Sequence, residues 1–223
     1  MKSSLEPGKG RYAGYLQMEG EQYLIDQLAG GRGGIFVTGH CGNWELMAAY
    51  AARKYPLSVV VRPLYDPRID RLLNAHRERF GYHPIPRDRP MAVRDMLRVF
   101  RRNELLGILI DQDTKVRGVF VPFFGHLAHT PSGLAAIAYQ VAMDANVAFM
   151  HRRAEGGHTL VISKPIPRPQ TGDRDADILN YTAILTRELE DYIRQYPDEW
   201  VWMHRRWKKR PEGEPPEKNP VPL

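Results

Sequence analysis

The sequence predicts an α/β fold, a layered αβα sandwich around a mostly parallel mixed sheet. Short apolar runs of strand length recur along the chain. Patterns of helical period lie between several of them, and no repeat or linker interrupts the series. At 223 residues, with 43% hydrophobic and 26% charged side chains, the chain has the size and balance of one globular domain with a sizeable core.

Taken in order, residues 12–29 carry a helical pattern with apolar positions at Tyr15, Leu16, Met18, Tyr23, Leu24 and Leu28. GIFVTG (34–39) follows as a strand and residues 44–54 as a helix; LSVVVR (57–62) is the next strand. IDRLLNAHRERF (69–80) and MAVRDMLRVFRR (91–102) are helical, and LLGILID (105–111) returns to the sheet. VFVPFF (119–124) holds a proline inside an apolar run, which marks an edge strand or a bend. The helix SGLAAIAYQVAM (132–143), the strands VAFMHR (147–152) and TLVISK (159–164), and the helix ILNYTAILTRELEDYIRQY (178–196) complete the set. From Lys208 onward, five prolines in sixteen residues leave little to bury. The domain is therefore set at 1–207, with 208–223 a surface strap or a disordered tail.

Composition narrows the function. No window approaches the roughly 18 consecutive apolar residues of a membrane span, and MKSSLEPGKGRY lacks the apolar core of a secretory signal. The single cysteine, Cys41, excludes an internal disulfide and suits a reducing compartment. A formal charge of +6 points to an anionic partner: nucleic acid, phospholipid head groups or an acidic carrier protein.

The stretch GHCGNWEL (39–46) concentrates chemistry at a strand-to-helix junction. On one regular helix, His40 and Glu45 would lie about 140° apart. Gly39 and Gly42 allow a tight turn instead, and Asn43 is a good N-cap, placing Glu45 in the first helical turn. His40 then stands at the C-terminal end of a strand, where open α/β sheets hold ligands. A carboxylate on one imidazole nitrogen fixes the tautomer and frees the other to take a proton. This chemistry activates a hydroxyl; a surface His–Glu pair is the alternative. The spacing lacks the i, i+4 geometry of a zincin helix and there is no cysteine cluster, so no metal is expected. Cys41 reads as a packing residue.

Further charged residues close other elements. Arg62 ends a strand before a proline, suited to a phosphate or an oxyanion, or else simply solvated. Asp111 and Asp113 end the LLGILID run; one of them, Asp113 by preference, positions Arg62 or meets a second substrate, unless both only cap the loop. Thr130, Ser132 and Gly133 read as a helix N-terminus with room for an anion. His204, Arg205, Arg206, Lys208, Lys209 and Arg210 interleave with Trp200, Trp202 and Trp207. Cations beside indoles suit a phosphorylated lipid at a membrane boundary, a nucleic acid, or a solvated end over core tryptophans.

Taken together, GHCGNWEL, VRP (61–63), DQD (111–113) with VFVPFFG and TPSG, and WVWMHRRWKKRPEG (200–213) resemble the late acyltransferases of lipid A biosynthesis, the lauroyl and myristoyl transferases of Gram-negative bacteria. The resemblance covers roughly 20–213, and H-x4-E alone would fit the wider glycerolipid acyltransferase superfamily. It implies a glycerol-3-phosphate acyltransferase-like fold. It also implies transfer of a fatty acyl chain from an acyl thioester, on acyl carrier protein or CoA, to a hydroxyl of an anionic glycolipid. In that scheme His40 is the general base and Glu45 orients it. Arg62, Asp111, Asp113, Thr130, His204, Arg205, Arg206 and Lys208 contact substrate. No cofactor, metal or nucleic acid takes part. The implied location is peripheral, on the cytoplasmic face of the bacterial inner membrane. Relatives carry an anchoring helix before the H-x4-E segment, whereas 39 residues precede His40 here. Membrane attachment is therefore expected to rest on basic and aromatic surface and on the stretch near 12–29.

Overall fold

Side-chain alternation along the central strands splits the core into two layers. The computed structural model describes residues 14–214. Its elements are β1 (Leu16–Glu19), α1 (Glu21–Ala29), β2 (Gly34–Thr38), α2 (Trp44–Ala52), β3 (Leu57–Val61), α3 (Pro67–Arg79), β4 (Tyr82–Pro86), α4 (Ala92–Arg101), β5 (Leu105–Leu109), β6 (Gly118–Phe123), β7 (His126–Pro131), α5 (Gly133–Val141), β8 (Ala145–Arg152), β9 (His158–Ile162) and α6 (Arg174–Gln195). Seven strands form one sheet in the order β1-β9-β8-β2-β5-β3-β4, and β6 and β7 form a separate antiparallel hairpin. Strands β8, β2, β5, β3 and β4 run parallel, whereas β9 pairs antiparallel with β8, so the sheet is mixed.

On β2, Ile35 and Val37 face one way and Phe36 the other, as the two-residue period of a strand requires. Ile35 and Val37 join Leu106 of β5 and side chains of α4, α5 and α6, including Met96, Val99, Leu134, Ile137, Leu185 and Leu189. Phe36 joins Leu105 and the opposite layer of α1 and α2, with Leu24, Met47, Ala48 and Tyr50. Helices on both faces explain why GIFVT is buried at every position rather than alternately. Each fully buried Leu or Ile in these layers contributes about 1.5–3 kcal/mol relative to exposure.

The structure departs from the sequence expectation over the 12–29 stretch and at two further strands. The pattern over 12–29 divides: residues 16–19 form β1 beside β9, and the helix starts only after Gly20. Gly20 has φ +74°, and a Cβ there would lie 2.1 Å from the Ile162 carbonyl oxygen, so helix cannot run through it. Two strands were not anticipated, β4 (YHPIP) and β7 (HLAHTP). Prolines deny them a strand signal, but β4 bonds only to β3 and β7 only to β6, so the missing donors face no partner strand. Residues 208–214 lie as a strap, with Arg210 Nη1 donating to the Leu127 carbonyl at 2.9 Å and Lys209 Nζ to the Thr114 carbonyl at 2.9 Å. The remainder of the expected tail, 215–223, and residues 12–13 lie outside the described residues.

Candidate active site

Strands β2 and β5 are parallel neighbours with Thr38 level with Leu109. Two residues on, His40 and Asp111 leave the same sheet edge side by side. Gly39 permits the approach, since a Cβ there would lie 3.2 Å from the Asp111 carboxyl carbon. Gly42, at φ +57°, turns the chain where a Cβ would lie 2.1 Å from the Met150 carbonyl oxygen. Asn43 then caps α2 by accepting from the Leu46 N–H at 2.9 Å.

Asp111 grips His40 twice. Its Oδ2 accepts the His40 backbone N–H at 2.9 Å, and its Oδ1 lies 2.8 Å from His40 Nδ1. The Trp200 indole N–H also donates to Oδ2, at 2.9 Å. Burial alone would push the Asp111 carboxyl up, but the bonds and charge of His40, with the Trp200 bond, hold it below the usual carboxylate value. An ionised Asp111 makes Nδ1 the protonated nitrogen and leaves the lone pair on Nε2. Nε2 has no hydrogen-bond partner among the described residues, and the ring, a quarter exposed, lines a cavity.

The C-terminal segment backs this turn from behind. Gly42 N–H donates to the Glu199 carbonyl at 2.7 Å, Val201 N–H donates to the His40 carbonyl at 3.2 Å, and Cys41 pairs with Trp200 as an isolated bridge. Cys41 is buried, and burial with the nearby Asp111 and Glu199 charges raises its thiol far above the usual value. It holds its proton and packs; it has no thiolate to offer.

Glu45 does not bond to His40, contrary to the expected pair. Its carboxylate meets Arg77 of α3 at 2.5 and 3.2 Å and accepts the Tyr82 hydroxyl at 2.6 Å. Two residues into α2 it faces α3 and β4 rather than the turn. Burial would raise its pKa, and the Arg77 and Tyr82 bonds bring it below the usual range. Glu45 and Arg77 nonetheless line the same cavity as His40.

That cavity holds about 650 Å³, and its walls are mainly apolar. Phe36, Met47 and Val59 line it on one side of the sheet, and Val60, Ile108, Leu134 and Ile137 on the other. Its size falls within the roughly 300–1,000 Å³ of small-molecule sites. Arg62, Arg87, Arg117 and Arg174 add positive charge to its lining. Arg62 is exposed and forms no hydrogen bond or ion pair with any described residue, so it is not positioned by Asp113 as expected.

Asp113 turns away into a second network. Its Oδ1 lies 3.1 Å from His129 Nδ1 and 3.1 Å from Lys209 Nζ, and its backbone N–H donates to His204 Nε2 at 3.0 Å. Lys208 Nζ donates to its carbonyl at 3.3 Å. Arg206 is wholly buried; it donates to the His129 carbonyl at 2.7 Å and to Thr130 Oγ1 at 2.5 Å, and stacks over Phe123. Burial draws its guanidinium down to about 10, with Asp111 and Asp113 opposing, so it stays charged at neutral pH. Thr130, Asp113 and Arg206, expected to contact substrate, are instead buried and bonded to other groups of the chain. Trp200 and Trp207 are buried too, leaving Trp202, Arg205 and Lys208 as the exposed part of the basic, indole-rich segment. A run of alternating cations and indoles reads as a binding surface, but here every buried cation bonds inward to a hairpin carbonyl, hydroxyl or aspartate.

The residues missed in the sequence are Asp111 as the partner of His40, Trp200 as the second holder of Asp111, and Arg77 with Tyr82 around Glu45. Only Asp111 left a signal: two apolar runs each ending in a polar side chain at a strand terminus.

Comparison with known proteins places the chain among lipid-modifying sequences. Residues 7–209 match the family described as bacterial lipid A biosynthesis acyltransferase. The chain is 29% identical over 209 residues to the lipid A biosynthesis lauroyltransferase of Escherichia coli (strain K12), covering 92% of this chain and 66% of that protein. It is 23% identical over 202 residues to the phosphatidylinositol mannoside acyltransferase of Mycolicibacterium smegmatis, covering 89% and 64%. It is 27% identical over 205 residues to a lipid A biosynthesis acyltransferase of Haemophilus influenzae, covering 90% and 63%. The chain thus spans slightly under two thirds of the length of these relatives.

Proposed function

Because the chain belongs to the bacterial lipid A biosynthesis acyltransferase family, we propose that it transfers a fatty acyl chain from an acyl thioester to a hydroxyl of an anionic glycolipid. The observation that carries this reading is a single imidazole: His40 Nδ1 is held by buried Asp111, and its unpartnered Nε2 borders an apolar cavity. Nε2 takes the acceptor hydroxyl proton as that oxygen attacks the thioester carbonyl. The tetrahedral intermediate collapses, the carbon–sulfur bond breaks, and the thiolate leaves with the proton returned from the imidazolium. Asp111 stabilises the imidazolium between the two transfers. The step balances with the thioester as co-substrate and no cofactor.

The apolar walls suit acyl chains, and the arginines suit the phosphate of a lipid A precursor or of a related mannoside lipid. Glu45 acts from the wall, fixing Arg77 and Tyr82 rather than touching the base. The donor is acyl carrier protein or CoA, for either of which the positive rim is complementary. No helix among the described residues is long and apolar enough to cross a membrane. Work at the inner-membrane surface fits the positive charge that Arg62, Arg87, Arg117 and Arg174 add to the cavity lining.

The test is transfer of labelled acyl groups from each donor to lipid A precursors and to mannoside lipids. Wild-type protein is expected to produce an acceptor heavier by one acyl chain, and His40→Ala to lose the activity while remaining folded by circular dichroism. Equal turnover by wild type and His40→Ala would overturn the assignment of the base.

A further inference from the structure

Helix α3 contributes no fully buried residue, and two of its apolar side chains stand out from the surface. Ile69 is 56% exposed and Leu72 is 72% exposed, while Tyr65, on the loop before the helix, is fully exposed. Met91 and Val93, at the start of α4, are exposed as well. Isolated exposed apolar residues are ordinary, but a contiguous set signals contact with something. Here the set continues into a cavity: Leu64, Leu73, Arg62, Arg87 and Val93, from the same loop and helices, line the cavity that holds His40.

Around α3, Leu72, His76, Ile69 and Leu73 fall within about 100° of the circumference. Arg68 and Arg79 occupy the neighbouring sector, Arg71 lies farther round, and Arg89 and Arg94 flank Met91 and Val93. Arg68 is tied to Asp66. Arg71, Arg79, Arg89 and Arg94 are exposed and form no ion pair with any described residue. Of the acidic residues, Asp66 is the helix cap, Asp70 accepts from the Leu64 N–H and Asn74, Asp88 pairs with Arg87 and Asp95 with Arg98, and Glu78 shares the far sector with Arg71. The inner face of the helix is fixed by the Arg77–Glu45 pair, so the outer strip is held in place rather than free to fold inward. An apolar strip edged by arginines is the pattern of a helix lying in a membrane interface.

We propose that α3, with the loop before it and the first turn of α4, is the face by which this protein docks on an anionic lipid bilayer, with the cavity mouth opening onto the lipid. Charge complementarity selects an anionic surface, and the exposed Ile69, Leu72 and Tyr65 select a bilayer, whose apolar interior takes up such side chains, over an acidic soluble partner. The proposal concerns binding alone, so it can be tested whether or not the acyl transfer above is right.

The test is co-sedimentation of the purified protein with vesicles of phosphatidylcholine alone or mixed with phosphatidylglycerol. Wild type is expected to bind the mixed vesicles, to bind the neutral ones less, and to weaken as salt rises. Ile69→Asp combined with Leu72→Asp should lower partitioning by about tenfold or more. Met203→Asp, on the exposed tryptophan-bearing segment, should leave it unchanged. Circular dichroism checks each fold; if the double variant fails to fold, Tyr65→Asp on the exposed loop replaces it and should weaken binding in the same direction. Wild-type failure to bind anionic vesicles, full binding by folded variants, or loss through Met203→Asp instead would overturn the proposal. So would a wild-type dimer that Ile69→Asp/Leu72→Asp converts to monomer with vesicle binding intact.

Discussion

Trp200 donates its indole N–H to Asp111 Oδ2 at 2.9 Å across 89 residues of sequence. The other oxygen of that carboxylate holds His40 Nδ1 at 2.8 Å. Trp200 is thus a positioning residue that acts on the imidazole through the aspartate. Trp200→Phe keeps the ring packing against Phe123 and Phe124 and removes only the donor. A lost hydrogen bond to a buried charge costs about 1.5–3 kcal/mol. The expected kinetic effect is a lower kcat with KM little changed and a displaced acidic limb of the pH–rate profile. A purely structural role would leave that limb in place.

Removing the base or its holder should separate them from Glu45. His40→Ala and Asp111→Asn are each expected to lower kcat by about 10²–10⁴-fold. Asp111→Asn leaves the shape intact but favours the wrong tautomer. Glu45→Gln, which loosens Arg77 and Tyr82, should act mainly on KM. The kcat and KM of the three purified variants check this division.

Arg206 should prove a stability residue rather than a ligand. Arg206→Lys cannot reproduce both donations, to the His129 carbonyl and to Thr130 Oγ1, nor the stacking over Phe123. The expected loss is about 3–5 kcal/mol, as for other broken buried charge contacts. In a chain of this length each kcal/mol lowers the melting temperature by about 2–4 °C. Thermal melts of the two proteins check it.

Acid should destabilise the fold from the histidine range downward. Burial, then the Lys209 charge, depresses His129 despite Asp113; burial, then the Lys208 charge, depresses His204 despite Asp111 and Asp113. A depressed folded value means the unfolded chain takes up these protons first. Their contribution is complete above the unfolded value near 6.5 and is lost as pH falls through the folded values. Asp111, also depressed, adds a further loss once pH drops below the unfolded carboxylate value near 3.9. Denaturant midpoints should therefore fall from pH 7 to pH 5, and the first part of that fall should shrink in His129→Gln.

Gly107 sets the shape of the cavity floor. An added Cβ would lie 2.5 Å from the tip of the Phe36 ring, and both residues line the cavity. Gly107→Ala should push the ring into the cavity at a cost of about 1–3 kcal/mol. Activity on long-chain donors should then fall more than on short-chain ones, as a series of acyl thioesters would report.

Most of the layer pattern was legible because its strands are buried and its helices periodic. GIFVT, LSVVV and LLGIL announce themselves as apolar runs, whereas YHPIP and HLAHTP conceal strands behind prolines that edges tolerate. Asn43 as the cap of α2 followed from spacing alone, being a contact within one turn. The partner of His40 did not, since it depends on which strand lies beside β2. Five residues of sequence made Glu45 look closer than Asp111, which is 71 positions away yet level in the sheet. Arg206 and Trp200 were misleading for a related reason: a basic, aromatic string has the same composition whether it faces solvent or buries itself against a hairpin.

The chain reaches the machinery of its base from three remote stretches, near residues 40, 111 and 200, and the last is synthesised only after the whole sheet. A growing polypeptide can therefore complete β2, β5 and the cavity while the aspartate still lacks its indole. If His40 is the base, its competence for proton transfer would then wait on this last stretch. Refolding followed by far-ultraviolet circular dichroism should show the sheet and helices assembling before tryptophan emission, which reports mainly Trp200, Trp202 and Trp207, and turnover reach their final values.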